Sequence, residues 1–144
     1  MILHPNSIIA SGPVIIEEID GRLCTLLNKH KKTDKNPESR WQFCGGEMED
    51  FDASLEDTAK REVKEEMGIE IKIEKLLDVM IRRRDDGSIA ILVHYLAKRI
   101  GEIIPGSDIA EWGWFPLDKL PADCAPNIKP IIEKIGQIKN NFYG

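Results

Sequence analysis

REVKEEMGI, Arg61 to Ile69, sets three carboxylates, Glu62, Glu65 and Glu66, within five residues of one another. Around it Leu55, Ala59, Val63 and Met67 recur every four residues, the repeat of a helix with one buried stripe. Ser54 opens that repeat as an N-cap, and Glu56 and Asp57 sit in the first turn, where the helix dipole favours acids. Gly68 closes it as a left-handed C′ residue, so the spacing predicts a helix over Leu55–Met67. At roughly 100° per residue, the three glutamates occupy an arc of about 100° along the border of the stripe. Like charges at these spacings lie about 5–6 Å apart and weaken a helix by a few tenths of a kcal/mol per pair. Beside a buried face, where water is scarcer, the repulsion grows. A divalent cation removes the conflict: Mg2+ takes hard oxygen ligands and shares its shell with waters and substrate phosphates. A solvated acidic face is the commoner origin of a Glu-rich helix. The border position and the Gly45-Gly46 pair just upstream favour the cation.

The charge of the chain is concentrated on the same segment. Glu47 to Glu66 holds nine acidic residues against three basic ones, net −6, whereas all 144 residues sum to −5. That balance argues against nucleic acid as a partner. With 42% hydrophobic and 31% charged residues the sequence is that of an ordinary globular protein, and residues 1–144 are expected to form a single domain. The longest apolar run, Ile89–Ala97, is interrupted by His94 and too short to span a bilayer, and the N-terminus lacks a basic secretory n-region. Cys24, Cys44 and Cys124 are odd in number and in no metal-ligand spacing, which points to a reducing, cytoplasmic setting.

Strands are expected on both sides of the helix. SGPVIIEE and IDGRLCTLLNK form a hairpin about Asp20-Gly21. Lys29–Ser39 is a basic loop, and RWQF a short strand broken by Gly45-Gly46. After the helix, Ile69, Ile71 and Ile73 alternate with Glu70, Lys72 and Glu74, so the first part of IEIKIEKLLDVMIRRR is a half-buried strand. IAILVHYLAKRI is apolar on both faces and hence interior to a sheet. DIAEWGWFPL is a further strand, and Ile128, Ile131, Ile132, Ile135 and Ile138 mark a closing amphipathic helix. The expected class is α/β, an α/β/α sandwich around a mixed sheet.

GGEMEDFDASLEDTAKREVKEEMGI, Gly45 to Ile69, resembles the signature of the Nudix hydrolases. Arg61, Glu62, Val63, Glu65, Glu66, Gly68 and Ile69 match the Arg-Glu-apolar-x-Glu-Glu-x-Gly-apolar part at every position. Fourteen residues separate Gly46 from Arg61, one more than in the pattern. Counting forward from Gly46 puts Asp52 at the first Glu position of the signature, and counting back from Arg61 puts Ala53 there.

The resemblance implies Mg2+- or Mn2+-dependent hydrolysis of a nucleoside diphosphate linked to another group, such as a nucleoside triphosphate, sugar nucleotide or ADP-ribose. It implies Glu62, Glu65 and Glu66 as metal ligands, with Glu62 the preferred general base, Glu65 catalytic and Arg61 orienting the glutamates. Asp108 stands six residues before Trp114, where an acid in this family often reaches the metals; a turn-capping Asp and Glu111 are the alternatives. Gly45 and Gly46, lacking a Cβ, allow backbone N–H groups close to phosphate. Trp41, Phe43 and Trp112 are candidates for stacking a base, with core packing the commoner use of strand aromatics. Arg82-Arg83-Arg84 could steer a polyanion or be a solvated hairpin end. His30 and His94 have no spacing that suggests a role. Many relatives form homodimers, although no stretch of this chain locates an interface. The alternative is a non-catalytic Nudix-like module that holds a nucleotide or partner without cleaving it.

Overall fold

Asp20 and Gly21 both take positive φ, 51° and 79°, the tight turn whose twist suits a hairpin. It joins β1 (Ile8–Ile19) to β2 (Arg22–His30) in a computed structural model that describes residues 2–143, with side chains described through residue 137. The remaining elements are β3 (Gly46–Glu47), α1 (Leu55–Met67), β4 (Glu70–Arg83), β5 (Ile89–Ile100), β6 (Ile109–Pro116) and α2 (Ile128–Tyr143). The strands form one six-stranded sheet of order β4-β5-β1-β2-β6, with β3 on β1. β1 is the axis of the sheet. It runs parallel to β5 through Ile8–Ile15, antiparallel to β2 through Ile16–Ile19, and antiparallel to β3 at Ala10 and Ser11. The other pairings are antiparallel, so the sheet is mixed, as expected.

Neighbouring residues on a strand point to opposite faces, and the core divides accordingly. Ile15 and Leu26 pack with Ala59, Val63 and Met67 of α1, while Val14 and Leu27 pack with Ile128, Ile131, Ile132 and Ile135 of α2. One helix therefore covers each face of the sheet, the α/β/α sandwich expected from the sequence. Fully buried Val63 and Met67 each stabilise the fold by about 1.5–3 kcal/mol through the apolar area they take from water. Ile138, the last apolar position assigned to the closing helix, lies outside the described side chains.

Two sequence expectations need correction. Arg40–Phe43 is no strand: Gln42 makes an isolated bridge to Asn28 and Trp41 one to Cys124, and the short strand is instead Gly46–Glu47. Trp41 donates to the Asp123 carbonyl and accepts from Ala125 N–H, so this stretch ties two different segments rather than extending one ladder. The strand after α1 also runs further than its alternation suggested. Register shifts between Ile73 and Lys75 and between Leu76 and Asp78 break the two-residue period while pairing with β5 continues to Arg83.

Candidate active site

α1 is placed by its ends. Ser54 Oγ accepts from Asp57 N–H at 3.1 Å, and Gly68, at φ 69°, donates to the Lys64 carbonyl at 3.0 Å. Ser11 Oγ on β1 donates to the Leu55 carbonyl at 2.6 Å, tying the first turn to the sheet. At the other end, Ile104 and Gly106 donate to the carbonyls of Met67 and Glu66, both at 2.8 Å. The stripe then faces the sheet, and its border carries Glu62 and Glu66 to the Gly45-Gly46 segment.

The three carboxylates differ in surroundings. Glu66 is 6% exposed; its Oε1 accepts from Gly45 N–H at 2.7 Å, and its Oε2 lies 2.5 Å from His30 Nε2. Glu62 is half-buried over Gly46, where a Cβ would come within 2.4–2.7 Å of its carboxyl atoms. Burial raises the Glu62 pKa, opposed by its hydrogen bond from Arg61 and reinforced by the charges of Glu66 and Glu65. Glu65 is the exposed member, reached by Arg61 Nη1 at 3.4 Å. Gly45 takes φ 146°, and a Cβ there would meet the Ser11 carbonyl at 2.7 Å, so both backbone angle and space require glycine.

Arg61 is the hub of the loop before the helix. Its Nε and Nη2 grip the Asp52 carboxylate at 3.1 and 2.9 Å, Nη1 reaches Glu62 at 2.9 Å, and Nη2 also donates to the Glu47 carbonyl at 3.0 Å. The guanidinium lies 5.2 Å from the Phe51 ring centre. Asp52 accepts as well from Glu49 N–H and Thr58 Oγ1, both at 2.9 Å. Arg61, first among these partners, holds the Asp52 pKa well below the usual carboxylate range. Of the two sequence candidates, Asp52 rather than Ala53 thus supplies the carboxylate before the helix.

Asp108 leads into β6 beside His30: its carbonyl accepts from Lys31 N–H at 2.8 Å, and its charge is among those that raise the His30 pKa, after Glu66. Glu111 instead pairs loosely with Lys29, 3.9 Å away. Trp41 is not brought to the glutamates. It packs edge-on against Phe115, 4.7 Å between ring centres, within the α2-side core, and Phe43 is buried there too. Arg82 lines a cleft of about 200 Å³ that opens along Gly45 and Gly46, with Gln42, Phe43, His94 and Asn127 among its other walls. His30 was missed from sequence: it stands 36 residues from Glu66, and only the fold joins them.

Among the described residues, no three acidic, histidine or cysteine side chains converge tightly enough to cage a metal as they stand. Arg61 and His30 already engage the carboxylates. The donors nevertheless suit a hard divalent cation: three neighbouring carboxylates lie on one helix, one of them nearly buried, and two of them, Glu66 and Glu62, pack against the Gly45-Gly46 backbone.

The sequence model of the NUDIX domain matches residues 10–135. No curated protein sequence matches the chain closely enough to count as a relative. Among solved structures, a MutT NUDIX hydrolase from Burkholderia pseudomallei is 27% identical, with a TM-score of 0.76 over 90% of this chain and 98% of that one. A C. elegans Ap4A hydrolase, solved as a binary complex, shares the fold at 18% identity and TM-score 0.76, over 93% and 98% of the two chains. The NUDIX domain of Shewanella oneidensis NrtR, complexed with ADP ribose, does so at 20% and 0.72, over 94% and 90%. The family match takes in α1 and the glycine pair that Glu62 and Glu66 pack against, and runs into α2: the chain belongs to the NUDIX family and is a pyrophosphohydrolase.

Proposed function

We propose that the chain hydrolyses the pyrophosphate linkage of a small nucleoside diphosphate derivative with Mg2+ or Mn2+, held by Glu62, Glu65, Glu66 and Asp108. The observation that carries this reading is the nearly buried Glu66 carboxylate, fixed to the Gly45 backbone beside two further glutamates. A cation bound there would neutralise charge on the non-bridging phosphate oxygens and lower the pKa of the attacking water. Glu62 takes the water's proton at Oε2, the oxygen that Arg61 Nη1 leaves free. Arg61 orients Glu62 and Glu65 from a position locked by Asp52. Gly45 and Gly46 let phosphate approach the backbone closely.

The cleft along Gly45 and Gly46 supports a nucleoside triphosphate or sugar nucleotide, whose nucleoside would lie there with its phosphates toward the glutamates. Trp41 lies off that cleft, which favours Phe43 as the nearer aromatic. The Asp52–Arg61 grip next to the one-residue insertion supports the catalytic reading over a non-catalytic module, because Arg61 still reaches Glu62. No helix among the described residues is long and apolar enough to cross a membrane. The three free cysteines support the reading of a reducing, cytoplasmic setting. The test is a panel of nucleoside triphosphates, sugar nucleotides, dinucleotides and ADP-ribose with Mg2+ or Mn2+, products separated by mass. Cleavage at the pyrophosphate, lost in Glu65→Gln, is expected. Unchanged turnover in Glu65→Gln would refute the assignment.

A further inference from the structure

His30 ends β2 at an irregularity in the sheet. Lys29 pairs with Glu111 but His30 with Ile109, so Ala110 is skipped. Bulges of this kind re-aim a side chain and are common beside active sites. The His30 backbone is pinned there, because Ser39 Oγ donates to its carbonyl at 2.5 Å. The ring is only part-exposed and points at α1, where Nε2 meets Glu66 Oε2 at 2.5 Å. The other charges facing it are Asp108 and Glu62. Glu66 is consequently held at both oxygens, Oε1 by Gly45 N–H and Oε2 by His30, on two segments that reach it from different parts of the sheet. A glutamate is otherwise a flexible ligand whose rotamer freedom must be given up on binding.

We propose that His30 is a positioning residue for Glu66: Nε2–H holds Oε2 while the Gly45 amide holds Oε1, so the carboxylate is fixed before a divalent cation arrives. The hold needs only a proton on Nε2, which the neutral Nε2–H tautomer and the imidazolium both supply. Hydrogen-bond partners of ligating carboxylates typically set metal affinity by 10–100-fold. This inference rests on the metal-dependent reading of the site.

The experiment follows binding of Mn2+ to the full chain by the loss of the free-ion electron paramagnetic resonance signal. Wild type, His30→Ala and His30→Gln are compared, with folding checked by circular dichroism. His30→Ala is expected to weaken Mn2+ binding about 10–100-fold, and His30→Gln, whose amide N–H can reach Oε2, to restore most of it. Should the Ala variant not fold, His30→Leu keeps the bulk and takes its place. Equal binding by wild type and His30→Ala overturns the proposal, as does a Gln variant no better than Ala. A directly coordinated imidazole nitrogen in the pulsed spectrum of bound Mn2+, absent in His30→Gln, also overturns it, because His30 would then be a ligand. Wild type that binds no Mn2+ removes the metal reading itself, an outcome distinct from the failure of His30 alone.

Discussion

Gly12→Ala should cost the protein both stability and the site. A Cβ on Gly12 would fall 2.0 Å from the Cys44 carbonyl oxygen, 2.9 Å from Gly45 Cα and 3.0 Å from the Cys44 carbonyl carbon. All three are backbone atoms, so no side chain can swing aside. Either β1 or the Cys44–Gly45 segment must shift. β1 is paired with β5 on one side and holds Gly46–Glu47 on the other, which leaves the Cys44–Gly45 turn as the part that gives. Overpacking a tight interior typically costs about 1–3 kcal/mol. At this chain length each kcal/mol moves the melting temperature by about 3–4 °C, so a fall of about 3–12 °C is expected. The displaced turn carries the Gly45 N–H that holds Glu66, so Mn2+ affinity should fall along with the melting temperature. Gly136→Ala is the contrasting substitution. It sits in α2 with nothing within 4 Å of the added carbon, and replacing a helix-interior glycine should stabilise by about 0.5–1 kcal/mol. Thermal melts of both variants by circular dichroism decide the matter. Gly12→Ala melting within a degree of wild type would show that the close approach of β1 to the turn is not rigid, and the reasoning would fail.

Two other outcomes follow from buried groups. His94 is 4% exposed, accepts from Asn127 Nδ2 through Nε2 at 2.9 Å, and burial lowers its pKa from 6.5. The unfolded chain therefore takes up a proton that the native state refuses, and stability falls as pH drops below about 6.5 toward the lower folded value. His94→Gln should flatten that part of the profile in urea unfolding between pH 7 and 5; parallel profiles would contradict the neutral, buried assignment. Cys44 has its thiol pKa raised well above the ordinary value by burial and by the Glu66 charge, and Cys24 is buried as well, whereas Cys124 is only partly covered. Alkylation of the native protein, mapped by peptide mass, should modify Cys124 first and Cys44 only on unfolding. Modification of Cys44 as fast as Cys124 would refute the burial.

Legibility from sequence followed locality. The helix Leu55–Met67 was recoverable to both ends because its caps and its four-residue stripe lie within fifteen residues of chain. The Asp20-Gly21 hairpin was recoverable because two adjacent residues alone fix its turn. The three glutamates stand out by their spacing, and the helix period places Glu62 and Glu66 on the border that meets Gly45-Gly46. What escaped was non-local. His30 meets Glu66 only because α1 packs across the sheet to which β2 belongs, and a bulge, invisible in sequence, turns the ring toward that helix. The second half of β4 was hidden by two bulges that scramble alternation without ending the pairing. Trp41 could be read from sequence as core or as a base platform, because a lone aromatic carries no mark of what it will pack against; here it packs on Phe115.

The hydrogen bonds from Ile104 and Gly106 to the last carbonyls of α1 turn the Gly101–Asp108 connection into a ruler. Adding or deleting a residue there would slide Asp108 along the sheet edge relative to the helix end, whatever residue type it carried. Lys29–Ser39 is anchored mainly at its two ends, by Lys31 to Asp108 and by Ser39 to His30. Drift in substrate preference can accumulate in that second segment through changes of length and composition, while the first is constrained to vary by substitution alone.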